Sequence, residues 1–213
     1  MELFFLAVSS FVVALSGALV PGPLFSITVA ESVRRGSSAG PLIILGHALL
    51  ELALVALLIG GGAPYLTSPL AKTVAGTAGG LVLIYMGCRL LRDSRNARLS
   101  PSADGPRRRM HPVLAGFLSS LSNPYWIIWW ATIGLGYLAS ALSFGLQGVV
   151  FFFAGHILAD LAWYSLLSLA AARGKRLIGD RGYRFLLAAC GIFLIFFGGW
   201  FVRVIGPFFL PSL

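Results

Sequence analysis

His47 and Glu51 stand four residues apart in an apolar stretch, and His156 and Asp160 repeat that spacing 109 residues later. Residues four apart on a helix share a face, so each pair turns an imidazole and a carboxylate toward one neighbour. A carboxylate surrounded by hydrocarbon is unfavourable by about 2.5 kcal/mol or more, and therefore belongs against a partner or a cavity. Two chemistries suit such pairs. The acids can exchange protons, with the histidines as relay, or they can hold the ammonium group of a substrate. A third arrangement would set two nitrogen and two oxygen ligands around a divalent metal. The sequence has no His-Glu-x-x-His and no cysteine ligand cluster, so neither a resident metal nor a cofactor is assigned.

Pro21-Gly22-Pro23 interrupts the first apolar stretch and Asn123-Pro124 the fourth. Each proline removes a backbone donor and crowds the carbonyl one turn earlier. Carbonyls freed near Gly17 and Ala18 find no partner in lipid, so a break of this kind belongs beside a polar cavity. Helices that restart after the breaks would offer backbone N–H groups to an anion such as a carboxylate. The expected substrate-binding residues are Pro21, Gly22, Pro23, Glu51, Asn123, Pro124, Trp126 and Asp160. The expected proton-coupling residues are Asp160, Glu51, His47 and His156. Trp126, Trp129, Trp130 and Trp163 are candidates to wall a pocket, with lipid packing or an interfacial belt as the other use of such residues.

The elements that position these residues are apolar segments. Six are visible, at about 3–30, 41–60, 73–91, 113–138, 145–172 and 185–209. Each approaches or exceeds the roughly 20 residues that span a bilayer. Of the 213 residues, 58% are hydrophobic and 11% charged, and the mean hydropathy is +0.89. A soluble domain carries about 25% charge, so this chain lacks the polar surface to face water on all sides. Glu2 has the wrong sign for the start of a secretory signal, and the first segment is read as a retained helix.

Fourteen of the sixteen basic residues fall on one side of a six-crossing path, after the first, third and fifth segments; only Lys72 and Arg203 fall on the other. Basic loops stay in the cytoplasm, which predicts both termini outside. The net charge of +9 is thereby assigned to topology and to anionic lipid headgroups rather than to nucleic acid. The run from Arg92 to His111, rich in Pro, Gly, Ser and Arg, reads as a flexible linker.

The two sides of that linker resemble each other. Gly46-His47-x-Leu49-x-Glu51-Leu52-Ala53 stands opposite Gly155-His156-x-Leu158-x-Asp160-Leu161-Ala162, and Gly80 to Gly87 stands opposite Gly191 to Gly198. A half with three helices places its repeat upside down in the membrane, the architecture of many secondary transporters. The expected organisation is all-α: residues 1–91 form a three-helix repeat, 92–112 a basic cytoplasmic linker, and 113–213 an inverted three-helix repeat. Cys88 and Cys190 form no CxxC. They leave a transmembrane thiol oxidoreductase as the weakest reading, since the repeat sets a glycine opposite each.

In order along the chain, Pro21-Gly22-Pro23, the glycines from Gly36 through Gly40 to Gly46, Asn123-Pro124, and Gly155 with Asp160 and Trp163 resemble the hallmarks of the LysE/RhtB family of amino-acid exporters. The resemblance covers nearly the whole chain. It implies six helices in inverted halves, no enzymatic activity, and efflux of amino acids such as lysine, arginine, threonine or homoserine driven by the proton gradient across a prokaryotic cytoplasmic membrane. Family members often carry Lys after Asn-Pro, where this chain has Tyr125 and then an aromatic run. That replacement removes a cation from the expected site and adds bulky rings. The implied partners are a small-molecule substrate and membrane lipids, with a homodimer left open. A divalent-metal exporter using both His/acid pairs stands as the alternative.

Overall fold

Both sequence breaks divide helices in the computed structural model, which describes residues 1–20, 22–62, 69–95 and 110–208. Helix α1 (Glu2–Ala18) ends before the first break. Gly22 is extended and Pro23 opens α2 (Pro23–Arg35) at the position where a missing N–H is harmless. The two helices meet at 81°. Pro21 lies outside the described residues. Gly36, with φ 96°, ends α2 in a backbone shape that favours glycine. Next come α3 (Ala39–Leu57) with a wide turn at Leu58–Gly62, then α4 (Pro69–Ser94).

The expected fourth segment is three short helices rather than one. Helix α5 (Pro112–Leu121) stops at the second break, and α6 (Pro124–Trp129) restarts with Asn123 Oδ1 accepting from the Tyr125 N–H at 3.1 Å. A wide turn, Trp130–Gly134, then leads to α7 (Leu135–Leu142). The last helical run, Gly145–Phe208, folds back at Gly179, where φ is 58°. Its apolar arms are α8 (Gly145–Gly174) and α9 (Gly179–Trp200). Of the expected linker, residues 96–109, which include Arg98, Arg107, Arg108 and Arg109, lie outside the described residues.

Among the described residues every regular element is helical. The polarity is that of a protein dissolved in lipid. Phe4, Phe5, Leu49, Leu81, Phe185 and Phe196 face outward, each at least half exposed, while Ser10, Thr28, His47, Glu51, His156 and Asp160 are buried. Apolar exposure on this scale marks an interaction surface, here the acyl chains. Three helices are long and apolar enough to cross a membrane, or four when the bent α1–α2 pair is one span. Six crossings would also need α4, a single helix of 26 residues, and the α5–α7 run, whose breaks leave no single helix of sufficient length.

Glycines bring the helices together. On α4 and α9, a Cβ at Gly80 would stand 2.6 Å from the Gly198 carbonyl oxygen, and one at Gly87 the same distance from that of Gly191. On α3 and α5, a Cβ at Gly46 would collide with the Val113 carbonyl, and one at Gly116 with that of Ile43. Gly155 of α8 abuts the Ala7 carbonyl of α1. Small residues permit this backbone approach, and it places His47 and His156, each one residue beyond such a contact, deep inside the bundle. Gly46→Ala is expected to lower stability by about 1–3 kcal/mol, the usual cost of overpacking. Gly136→Ala, where nothing lies within 4 Å, should be close to neutral. Thermal unfolding of the two detergent-solubilised variants checks the difference.

Candidate functional site

Helix α3 sets His47 above Glu51, and α8 sets His156 above Asp160. Where the two faces meet, the four side chains close into a ring. His47 Nε2 lies 3.3 Å from Glu51 Oε1 and 3.4 Å from Asp160 Oδ2. His156 Nε2 lies 2.9 Å from Glu51 Oε2 and 3.6 Å from Asp160 Oδ2. Each acid therefore meets the imidazole of its own helix and that of the opposite one.

Neighbouring elements hold the ring in place. Trp126 and Trp130, four residues apart across the α6 end, both donate their indole N–H to Glu51 Oε1, at 2.8 and 2.7 Å. Hydrogen bonds to an ionised group are the stronger kind, and two on one oxygen fix its orientation. Ser120, at the end of α5, stands 2.8 Å from His47 Nδ1. His156 leans on the rings of Trp129 and Trp130, with centroids at 4.9 and 5.6 Å. Its Nδ1 is buried with no hydrogen-bond partner among the described residues. Glu51 Oε2, although 2.9 Å from His156 Nε2, is out of line for a hydrogen bond. The two atoms attract as an ion pair when the imidazole is protonated.

The ring lines a cavity of about 270 Å³. Of the residues expected from the sequence, Gly22, His47, Glu51, Asn123, Trp126, His156 and Asp160 line it. The two breaks face each other there: a Cβ at Gly22 would lie 3.9 Å from Asn123 Nδ2. Pro23 is buried at the head of α2 and does not line the cavity, because the chain turns its neighbours Gly22 and Leu24 inward instead. Pro124 opens α6, and only its backbone position is described. Of the four candidate tryptophans, Trp126 and Trp129 wall the cavity, Trp130 stands fully buried behind it, and Trp163 packs against a hydrophobic cluster that includes Leu83, Leu187 and Leu194. Gly17 and Ala18, whose carbonyls the first break is expected to free, also line the cavity, as do Ser120, Tyr164, Phe197 and Trp200, which are not legible as site residues in the sequence. One ligand atom from each of His47, Glu51, His156 and Asp160 lies within 4.8 Å of all the others, so the ring also has the reach to hold a metal ion.

A profile of the LysE type translocator family matches residues 15–204, a span that takes in both breaks and all four ring residues. The chain belongs to the LysE-type translocator family. Among curated relatives, it is 26% identical over 194 residues to the Bacillus subtilis (strain 168) protein named "Putative amino acid efflux protein YcgF", covering 91% of this chain and 93% of that one. It is 29% identical over 192 residues to the Pseudomonas aeruginosa "Chemotactic transduction protein ChpE", covering 86% and 90%. No solved structure matches the chain. As a LysE-type translocator the protein is an integral membrane transporter and not an enzyme. The thiol oxidoreductase reading thereby loses its ground; Cys88 and Cys190 are free thiols, one exposed and one buried.

Proposed function

We propose that the protein exports an amino acid by proton antiport across the cytoplasmic membrane, with six crossings arranged as two inverted three-helix halves and both termini outside. The observation that carries the reading is the buried ring of two acids and two imidazoles lining a cavity bounded by two broken helices. The substrate ammonium group would lie against Asp160 and Glu51. Its carboxylate would face Asn123 and the backbone of the breaks. The ring is electrically neutral when both imidazoles are protonated and both acids ionised. Release of a proton leaves a negative charge that an incoming ammonium group balances, which couples the two ions through one site.

A two-fold relation between the halves is supported by paired contacts. Gly46 of α3 meets α5 while Gly155, its counterpart in the repeat, meets α1. The relative named for amino-acid efflux supports the substrate class. The alternation of basic residues supports the orientation.

The clustering of four ligand atoms within 4.8 Å favours a second reading, export of a divalent transition metal as cargo. Against it, Glu51 Oε1 already accepts two indole donors and Glu51 Oε2 lies 2.9 Å from His156 Nε2, so a metal would have to displace pairings that the ring already makes. Proteoliposomes loaded with labelled amino acids, or with Zn²⁺ or Mn²⁺, test both readings. Amino-acid release that rises with an imposed proton gradient, and collapses with an uncoupler, is the expected result. Metal release without amino-acid release would replace the first reading by the second.

A further inference from the structure

We infer that the substrate is an amino acid with a large apolar or aromatic side chain and no second charge. The inference rests on the exporter reading and narrows it. The cavity lining divides by chemistry rather than evenly. The ring offers a single ammonium group its counter-charge. Outside the ring the lining includes Leu24, Trp126, Trp129, Phe197 and Trp200, and no lysine or arginine among the described residues lines the cavity.

A lysine or arginine substrate would put its second cation against those walls. An indole face attracts a cation, but by less than an unpaired buried ion loses on leaving water. An aspartate or glutamate side chain would meet no cation at all. A small side chain would leave the aromatic walls uncovered, whereas a leucine or phenylalanine side chain exchanges water for carbon over most of its surface. Tyr125, placed directly after the Asn-Pro break, lines the cavity where it supplies a ring and no positive charge.

Gly17 probes the aromatic wall. A Cβ there would stand 3.3 Å from Trp129 Nε1, so Gly17→Ala narrows the space beside that ring. Counterflow should be measured in proteoliposomes with phenylalanine, leucine, alanine, lysine and aspartate, for the native protein and for Gly17→Ala. The native protein is expected to move phenylalanine and leucine in preference to lysine and aspartate. In Gly17→Ala the ratio of phenylalanine to alanine transport should fall about tenfold or more, the discrimination one methyl group gives in an apolar pocket. Preference for lysine or aspartate overturns the inference and leaves the exporter reading standing. An unchanged phenylalanine-to-alanine ratio in Gly17→Ala also overturns it, since the side chain would then lie elsewhere. Transport of none of the five removes the exporter reading and the inference with it.

Discussion

Asp160→Asn is expected to abolish substrate-driven proton movement while leaving the protein folded. Asp160 is the less constrained of the two acids. Its Oδ2 meets the imidazoles at 3.4 and 3.6 Å, against 2.9 Å for the closest approach to Glu51, and its side chain is 7% exposed against 1%. The acid that must exchange partners during transport should be the one with longer contacts and greater exposure. Asparagine preserves the shape and an oxygen acceptor toward His47 and His156 but removes the exchangeable charge. Loss of a proton-transferring group lowers rates by about 10²–10⁴-fold, so proton flux coupled to substrate should fall to background. A pH-sensitive dye inside proteoliposomes, with substrate added outside, measures it. Flux that persists unchanged in a folded Asp160→Asn protein would remove the coupling role from this residue.

The acids, the histidines and the breaks were legible because each is an exception to its surroundings. A polar pair at helical spacing, or two prolines around a glycine, stands out in a stretch of Leu, Val and Phe. The supporting groups do not stand out. Trp126 and Trp130 have the i,i+4 spacing that lets both reach Glu51 Oε1, yet six consecutive residues from Tyr125 to Trp130 are aromatic or branched, and nothing in that run separates a hydrogen-bond donor from packing. Ser120 holds His47, while its neighbour Ser119 merely bonds back to the Gly116 carbonyl. Adjacent serines in one helix look alike until the facing helix is known. The wide turn at Trp130–Gly134 was equally hidden, because a backbone register shift follows from tertiary packing rather than from residue type. The number of crossings is harder to read for a related reason: the same breaks that build the cavity shorten the helices below the length by which a span is recognised.

The largest effect on stability is expected at Glu51, and the choice of substitution separates its structural role from its role in transport. Glu51→Ala leaves the Trp126 and Trp130 N–H groups buried without their acceptor and removes the partner of both imidazoles. Each orphaned donor costs about 1–3 kcal/mol, and a broken buried ion pair about 3–5 kcal/mol. These losses overlap, but even the smaller is a large share of the roughly 5–15 kcal/mol that separates a folded protein from its unfolded state. Most of the Glu51→Ala protein should fail to fold or should melt well below the native protein. Glu51→Gln keeps a carbonyl oxygen where Oε1 now accepts the two indoles and loses only the charge. It should yield folded protein whose indole environment is preserved but whose transport is lost, because the ring can no longer balance a second cation. Thermal unfolding and tryptophan fluorescence of the two variants, each measured beside transport, distinguish the outcomes. If Glu51→Ala proves as stable as Glu51→Gln, the indole hydrogen bonds contribute nothing to the fold, and the anchoring role assigned here to Trp126 and Trp130 is wrong.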